Sequence, residues 1–138
     1  MGLYKEAFVA HLQKESVKYV DRDEDAVDIS FSGKNANSIR VTVRFSKDNT
    51  GYVHFFNMTI GSFKGKEAEA MKQCNAMNMQ YRWVKFYVDN DSDVIVDADA
   101  IVDLGSVGKE CLEIVIRTVR IVDDVYPDFM RIRWGAPA

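Results

Sequence analysis

The chain is poor in the residues that most often carry chemistry. Among its 138 residues it has two cysteines, two histidines and two prolines. Cys74 and Cys111 stand far apart, with neither a paired spacing nor a neighbouring histidine, which argues against a zinc site or a disulfide and predicts two reduced thiols buried in helices. His11 and His54 have no Cys, Ser or Asp at a spacing diagnostic of a metal site or a nucleophile, so no catalytic residue is assigned. No apolar run approaches the roughly 20 residues that span a bilayer. The stretch Met1–Glu6 becomes charged too early for a secretion leader, and a cytoplasmic soluble protein is expected. Charge of one sign is also missing: 18 Lys+Arg against 21 Asp+Glu leave a net charge of -3. No global field draws phosphate backbones or anionic lipid, and neither nucleic acid nor membrane is expected as a partner.

What is present is a hydrophobic share of 47%, enough for one continuous core and one domain over residues 1–138. Leu3–Lys18 repeats Tyr4, Phe8 and Leu12 at four-residue steps and predicts an amphipathic helix with Lys5 elsewhere on the wheel. The acidic run Asp21–Asp25 ends it. Val27, Ile29 and Phe31 then alternate with polar residues, as do Ile39, Val41, Val43 and Phe45, and Tyr52–Ile60 follows; three strands in succession predict an antiparallel meander. The third is apolar on both faces, with Tyr52, His54, Phe56, Met58 and Ile60 opposing Val53 and Phe55. His54 is read as a core or cross-strand histidine. Lys66–Gln80 predicts a helix in which Ala68, Met71, Asn75 and Met79 form one row.

Trp83–Val88 and Val94–Ala98 flank Asp89-Asn90-Asp91-Ser92-Asp93 and predict a hairpin. A long helix covers it, its apolar positions Val107, Cys111, Ile114, Val115, Thr118, Val122 and Val125 recurring every three or four residues. Pro127 is expected to interrupt or restart that helix. The Asp89–Asp93 run places oxygen side chains at alternate positions like the start of a calcium loop, but the sixth and twelfth positions hold Val94 and Ala100 rather than Gly and Glu, so it is read as a turn. Gly61–Lys66 likewise lacks the spacing of a phosphate loop. No metal and no cofactor is assigned.

The predicted order is α-β-β-β-α-β-β-α, an α+β fold with an antiparallel sheet and helices packed on it. With Asn75-Ala76-Met77-Asn78, the hairpin strands Lys85-Phe86-Tyr87-Val88-Asp89 and Val94-Ile95-Val96-Asp97, and Val125-Tyr126-Pro127, the chain resembles the YbjN-like bacterial domains. These are described as sensory-transduction regulators, and their fold is similar to that of type III secretion chaperones. The resemblance implies that fold; type III chaperones are dimers, which points to a homodimer here.

Surplus apolar area is the physical motive for a binding role. If Ile39, Val41, Val43, Phe45, Val84, Phe86 and Val88 face the helices, the other sheet face carries Arg40, Thr42, Arg44, Val53 or Phe56, Trp83, Lys85 and Tyr87, an interface-like mixture. The segment Phe129–Trp134 is a candidate to fold over it. Met71, Cys74, Met77, Met79, Tyr81 and Trp83 span more than one helix stripe, so some must meet another chain or solvent. The expected function is a non-enzymatic, chaperone-like or regulatory module that binds a protein or peptide as a homodimer, through Arg44, Phe55, Met71, Met77, Trp83, Lys85 and Tyr87. The alternative is a ligand-sensing domain or small enzyme with a pocket between sheet and helices.

Overall fold

Alternating apolar residues draw consecutive strands into pairs, and the result is one six-stranded antiparallel sheet in the order β1 (Val20–Asp23), β2 (Ala26–Phe31), β3 (Ile39–Phe45), β4 (Tyr52–Ser62), β6 (Asp93–Ile101), β5 (Lys85–Val88). The computed structural model describes residues 2–135. Its elements are α1 (Leu3–Lys14), β1 (Val20–Asp23), β2 (Ala26–Phe31), β3 (Ile39–Phe45), β4 (Tyr52–Ser62), α2 (Glu67–Gln80), β5 (Lys85–Val88), β6 (Asp93–Ile101) and α3 (Val107–Trp134). This is the expected α+β order, with β1 added at the edge where the acidic run was read only as the end of the first helix. The three helices pack on one sheet face. Val41, Val43, Val53, Phe55, Phe86 and Val96 meet Phe8, Leu12, Val115, Val122 and Phe129 there, all buried.

Strand β1 explains a misplaced lysine. Lys5 is buried rather than on the wet side of α1, its Nζ donating to the carboxylate of Asp21 and the carbonyl of Asp23. Its ammonium therefore ties α1 to the outermost strand, whose four residues are all exposed.

A second departure lies in β4. Its register against β6 shifts between Asn57 and Gly61, where four steps along β4 match two along β6, and the alternation that turns Val53, Phe55 and Asn57 inward breaks. Ile60 enters the core instead of joining Tyr52 and His54. Such extra residues bend a strand and leave backbone groups to be satisfied. The buried Asn57 side chain helps by donating Nδ2 to the Arg40 carbonyl at 2.9 Å and accepting the Thr59 N–H at 3.2 Å.

Helix α3 does not stop at Pro127 but continues to Trp134. Proline lacks the N–H that would bond to the carbonyl four residues back, here that of Asp123. Asn35 takes that place, its Nδ2 donating to the Asp123 carbonyl at 3.0 Å. The Asp123 carboxylate meanwhile accepts the N–H groups of Lys34, Asn35 and Ala36 at 2.8–3.0 Å, which holds its pKa below the ordinary carboxylate value. The β2–β3 loop is thereby fastened to the helix at the point where the helix is weakest. Because α3 continues, Phe129 is buried against Phe63 and Phe86 on the helix side, and Phe129–Trp134 does not cover the opposite face.

In α2 the buried row is Ala70, Cys74 and Met77. The row read from the sequence, Ala68, Met71, Asn75 and Met79, points outward instead.

Candidate functional site

With all three helices on one side, the other side of the sheet is left without an element over it among the described residues. The strand registers place Asp28, Thr42, Phe56, Asp97 and Lys85 in one row across β2, β3, β4, β6 and β5. Arg44, His54 and Asp99 form the neighbouring row across β3, β4 and β6. On the other flank Tyr87 faces Ile95, which is fully buried although it lies on this outer face. Phe56 is half-buried at the centre, while Met58 and Tyr87 are exposed.

Asp97 organises this surface. Its side chain is only 4% exposed, yet it stands on the open face because His54, Lys85 and Tyr87 close over it. Oδ2 accepts hydrogen bonds from Tyr87 Oη at 3.1 Å and pairs with His54 Nε2 at 3.1 Å. Among the described residues Oδ1 has no hydrogen-bond partner; the Lys85 ammonium lies 3.8 Å from it, within range of charge attraction but beyond a bond. The consequences appear in the neighbours. The bond to Asp97 raises the pKa of His54 above its ordinary 6.5. Burial, with the Asp97 charge behind it, pushes the Tyr87 hydroxyl up to about 12.

Several other charges on the face have partners. Arg44 donates to both carboxylate oxygens of Asp23 at 2.9 and 3.3 Å, which lowers the Asp23 pKa. Asp28 accepts from Thr42 Oγ1 at 2.5 Å and from Arg22 at 3.1 Å. Tyr52 donates to Asp99 at 2.5 Å.

Of the seven residues expected from the sequence to make contact, Arg44, Lys85 and Tyr87 share this outer face. Phe55 and Met77 are corrections: both are buried in the core, Phe55 because β4 turns it toward the helices and Met77 because it belongs to the inward row of α2. Met71 and Trp83 lie on the helix side, 53% and 61% exposed. Trp83 precedes β5 instead of starting it, with φ of 80°, a left-handed conformation that a bulky residue rarely adopts. The Arg117 guanidinium stacks on its ring at 4.9 Å from the centroid. Sequence reasoning missed Asp97, although the signal was there: one carboxylate inside the apolar strand Val94-Ile95-Val96-Asp97-Ala98.

Among the described residues, Asp89, Asp91 and Asp93 bring carboxylate oxygens within 4.8 Å of one another. Asp89 Oδ1 is already taken by the N–H groups of Asp91 and Asp93 at 3.0 and 2.9 Å, the bonding of a turn. Cys74 and Cys111 are free and buried, and burial pushes their thiols up to about 11 and about 12.

The comparisons with known proteins agree with this architecture. The YbjN family model, described as "Putative bacterial sensory transduction regulator", matches residues 6–130. No curated protein matches the chain. Among solved structures it is similar to YbjN from E. coli, described as "a putative transcription regulator", with a TM-score of 0.66 and 14% identity over 91% of this chain and 89% of that one. It is also similar to the Yersinia pestis type III secretion chaperone SycH, solved in complex with a stable fragment of YscM2, with a TM-score of 0.52 and 8% identity over 86% and 98% of the two chains. At such identities the likeness is one of fold.

Proposed function

The chain belongs to the YbjN family, and from that premise we propose that it is a non-enzymatic, regulatory or chaperone-like module that binds a protein or peptide on the open face of its sheet. The observation that carries this reading is the face itself: Phe56, Met58 and Tyr87 share it with a buried carboxylate, and no described element covers them. Aromatic, methionine and arginine side chains are what interfaces enrich. Asn78, bound to the backbone of Phe86, blocks the β5 edge, and Lys5 takes up the Asp23 carbonyl at the other. On the β5 side a partner is thus directed to the face rather than to an added strand. The chaperone SycH binds a protein fragment with a similar fold, which supports a protein partner here. The space between sheet and helices is filled by Phe8, Phe55, Phe63 and Phe129, each fully or almost fully buried, and this weighs against the small-ligand alternative.

The same reading takes the chain to be a homodimer, acting in the cytoplasm, with the outward row of α2 as the contact. Met71 is 53% exposed and Met79 81%, and a two-fold axis would bury such adaptable side chains twice. Light scattering should report a dimer, and Met71→Glu with Met79→Glu a folded monomer. A monomeric wild type at high micromolar concentration would overturn the dimer.

To test the binding face, a random peptide library is selected on the wild type and each isolate is titrated against wild type and Phe56→Asp. Phe56 is half-buried on the outer side of β4, so the charge should abolish binding while the fold, followed by circular dichroism, persists. Isolates that bind both proteins equally would remove this face from consideration, and a library that yields no binder would remove the function.

A further inference from the structure

Asp97 is an incompletely used carboxylate. A buried carboxylate ordinarily has both oxygens bonded, because an unmet acceptor away from water is unfavourable. Here Oδ2 receives Tyr87 and His54, whereas Oδ1 receives no bond from the described residues. The nearby cation, Lys85, does not fill the vacancy. Its Nζ stays 3.8 Å from Oδ1, its side chain is 62% exposed, and it lies 5.6 Å from the centre of the Tyr87 ring. It covers the oxygen without bonding to it, held by four flexible methylenes that swing out at little cost. The next outward residue along β6 is Asp99, another carboxylate. The rings of Phe56, His54 and Tyr87 around the site are surfaces on which a flat cation stacks.

We propose that Asp97 anchors a basic side chain of the partner: an arginine displaces Lys85, bonds to Oδ1 and lies among the rings of Phe56 and Tyr87. This rests on the reading of the outer face as the binding surface and names the chemistry it selects. The partner is a segment carrying arginine, with lysine a weaker substitute, because a flat, weakly hydrated guanidinium can stack among the rings while an N–H bonds to Oδ1, where an ammonium presents a strongly hydrated point charge. Lys85 is a placeholder that screens Asp97 while the face is empty.

The test uses N-acetyl-arginine amide as the probe, so that it stands apart from peptide selection. Backbone amide shifts of wild-type protein are followed by NMR during titration up to about 50 mM, a range suited to the weak affinity of one side chain. Saturable changes are expected at His54, Phe56, Tyr87 and Asp97. The neutral isostere N-acetyl-citrulline amide should bind at least about tenfold more weakly, since it lacks the charge that strengthens the bond. Lys85→Gln, which removes the placeholder from an exposed position, should bind arginine amide about two- to fivefold more tightly. Asp97→Asn, checked for folding by circular dichroism, should abolish the response. Equal responses to the arginine and citrulline probes, no response up to the highest concentration, or Lys85→Gln binding no tighter would each overturn the proposal. If peptide selection still yields ligands that Phe56→Asp loses, the binding face stands and only its preference for arginine falls.

Discussion

The side-chain amide of Asn78 substitutes for a missing strand beside Phe86. Its Nδ2 donates to the Phe86 carbonyl at 3.0 Å, and its Oδ1 accepts the Phe86 N–H at 2.8 Å. Strand β5 pairs only with β6, so Phe86 would otherwise present both backbone groups along an open edge, the arrangement that invites another chain to pair. Helix α2 closes that edge from outside the sheet. Replacing Asn78 by Ala is expected to cost about 1–3 kcal/mol, because two bonds are lost and partly buried groups are left unmet. Urea unfolding measures the loss, and light scattering should show concentration-dependent association of the variant beyond that of the wild type. Unchanged stability would show that the amide merely accompanies the packing of α2.

The fastening of the β2–β3 loop to α3 is open to a similar trial. Asp123→Ala removes the acceptor of three backbone N–H groups, and a loss of about 1–3 kcal/mol is expected. Hydrogen exchange should accelerate at Asn35 and Ala36 well before it does in the core. Gly33→Ala should do comparable harm by another route, since a Cβ there collides with the Asp123 carboxylate and the Ala36 carbonyl.

His54 makes stability depend on pH with a definite sign. Its folded-state pKa is raised above 6.5 by Asp97, so the His54–Asp97 contribution is complete below 6.5 and is lost as pH rises through the folded value. The urea midpoint of the wild type should therefore fall as pH rises above about 6.5, and His54→Gln should flatten that slope. A wild-type profile as flat as the variant's would contradict the pairing.

Trp83 offers a test in which glycine outperforms alanine. At φ of 80° a side chain is strained and glycine is not, so Trp83→Gly should be more stable than Trp83→Ala by about 1 kcal/mol, although both lose the stack with Arg117. The reverse order would show that Trp83 is not held in that conformation in solution.

Much of this molecule was legible from period alone. The three- and four-residue steps from Val107 to Val125 placed α3, and the alternation from Ile39 to Phe45 placed β3, because each element buries one side and its sequence records which. The departures occur where a single side chain meets a backbone group far away in sequence. Lys5 is interior because the Asp23 carbonyl waits for it; Ile60 turns inward because the β4 register slips; α3 passes Pro127 because Asn35 replaces the lost donor. No local pattern encodes those partnerships. For the candidate site, Arg44, Lys85 and Tyr87 were readable by alternation. Phe55 was named as a contact residue and the outward side of β4 left open between Val53 and Phe56, because β4 is apolar on both sides and a two-sided strand gives alternation nothing to distinguish.

Helix α3 follows the six strands in sequence, and this has a consequence for synthesis. Val115, Val122, Val125 and Phe129 lie fully buried against a sheet whose first four strands precede them by more than fifty residues. Strands β2, β3 and β4 are neighbours in sequence and can pair as they leave the ribosome, but the part of their greasy side that α1 does not reach stays uncovered until α3 emerges. At about 5–20 residues per second that interval is on the order of several seconds. During it the nascent sheet has one surface open to any passing apolar chain. Its safe arrival then depends on the pace of translation, a hazard that no measurement on the finished protein would reveal.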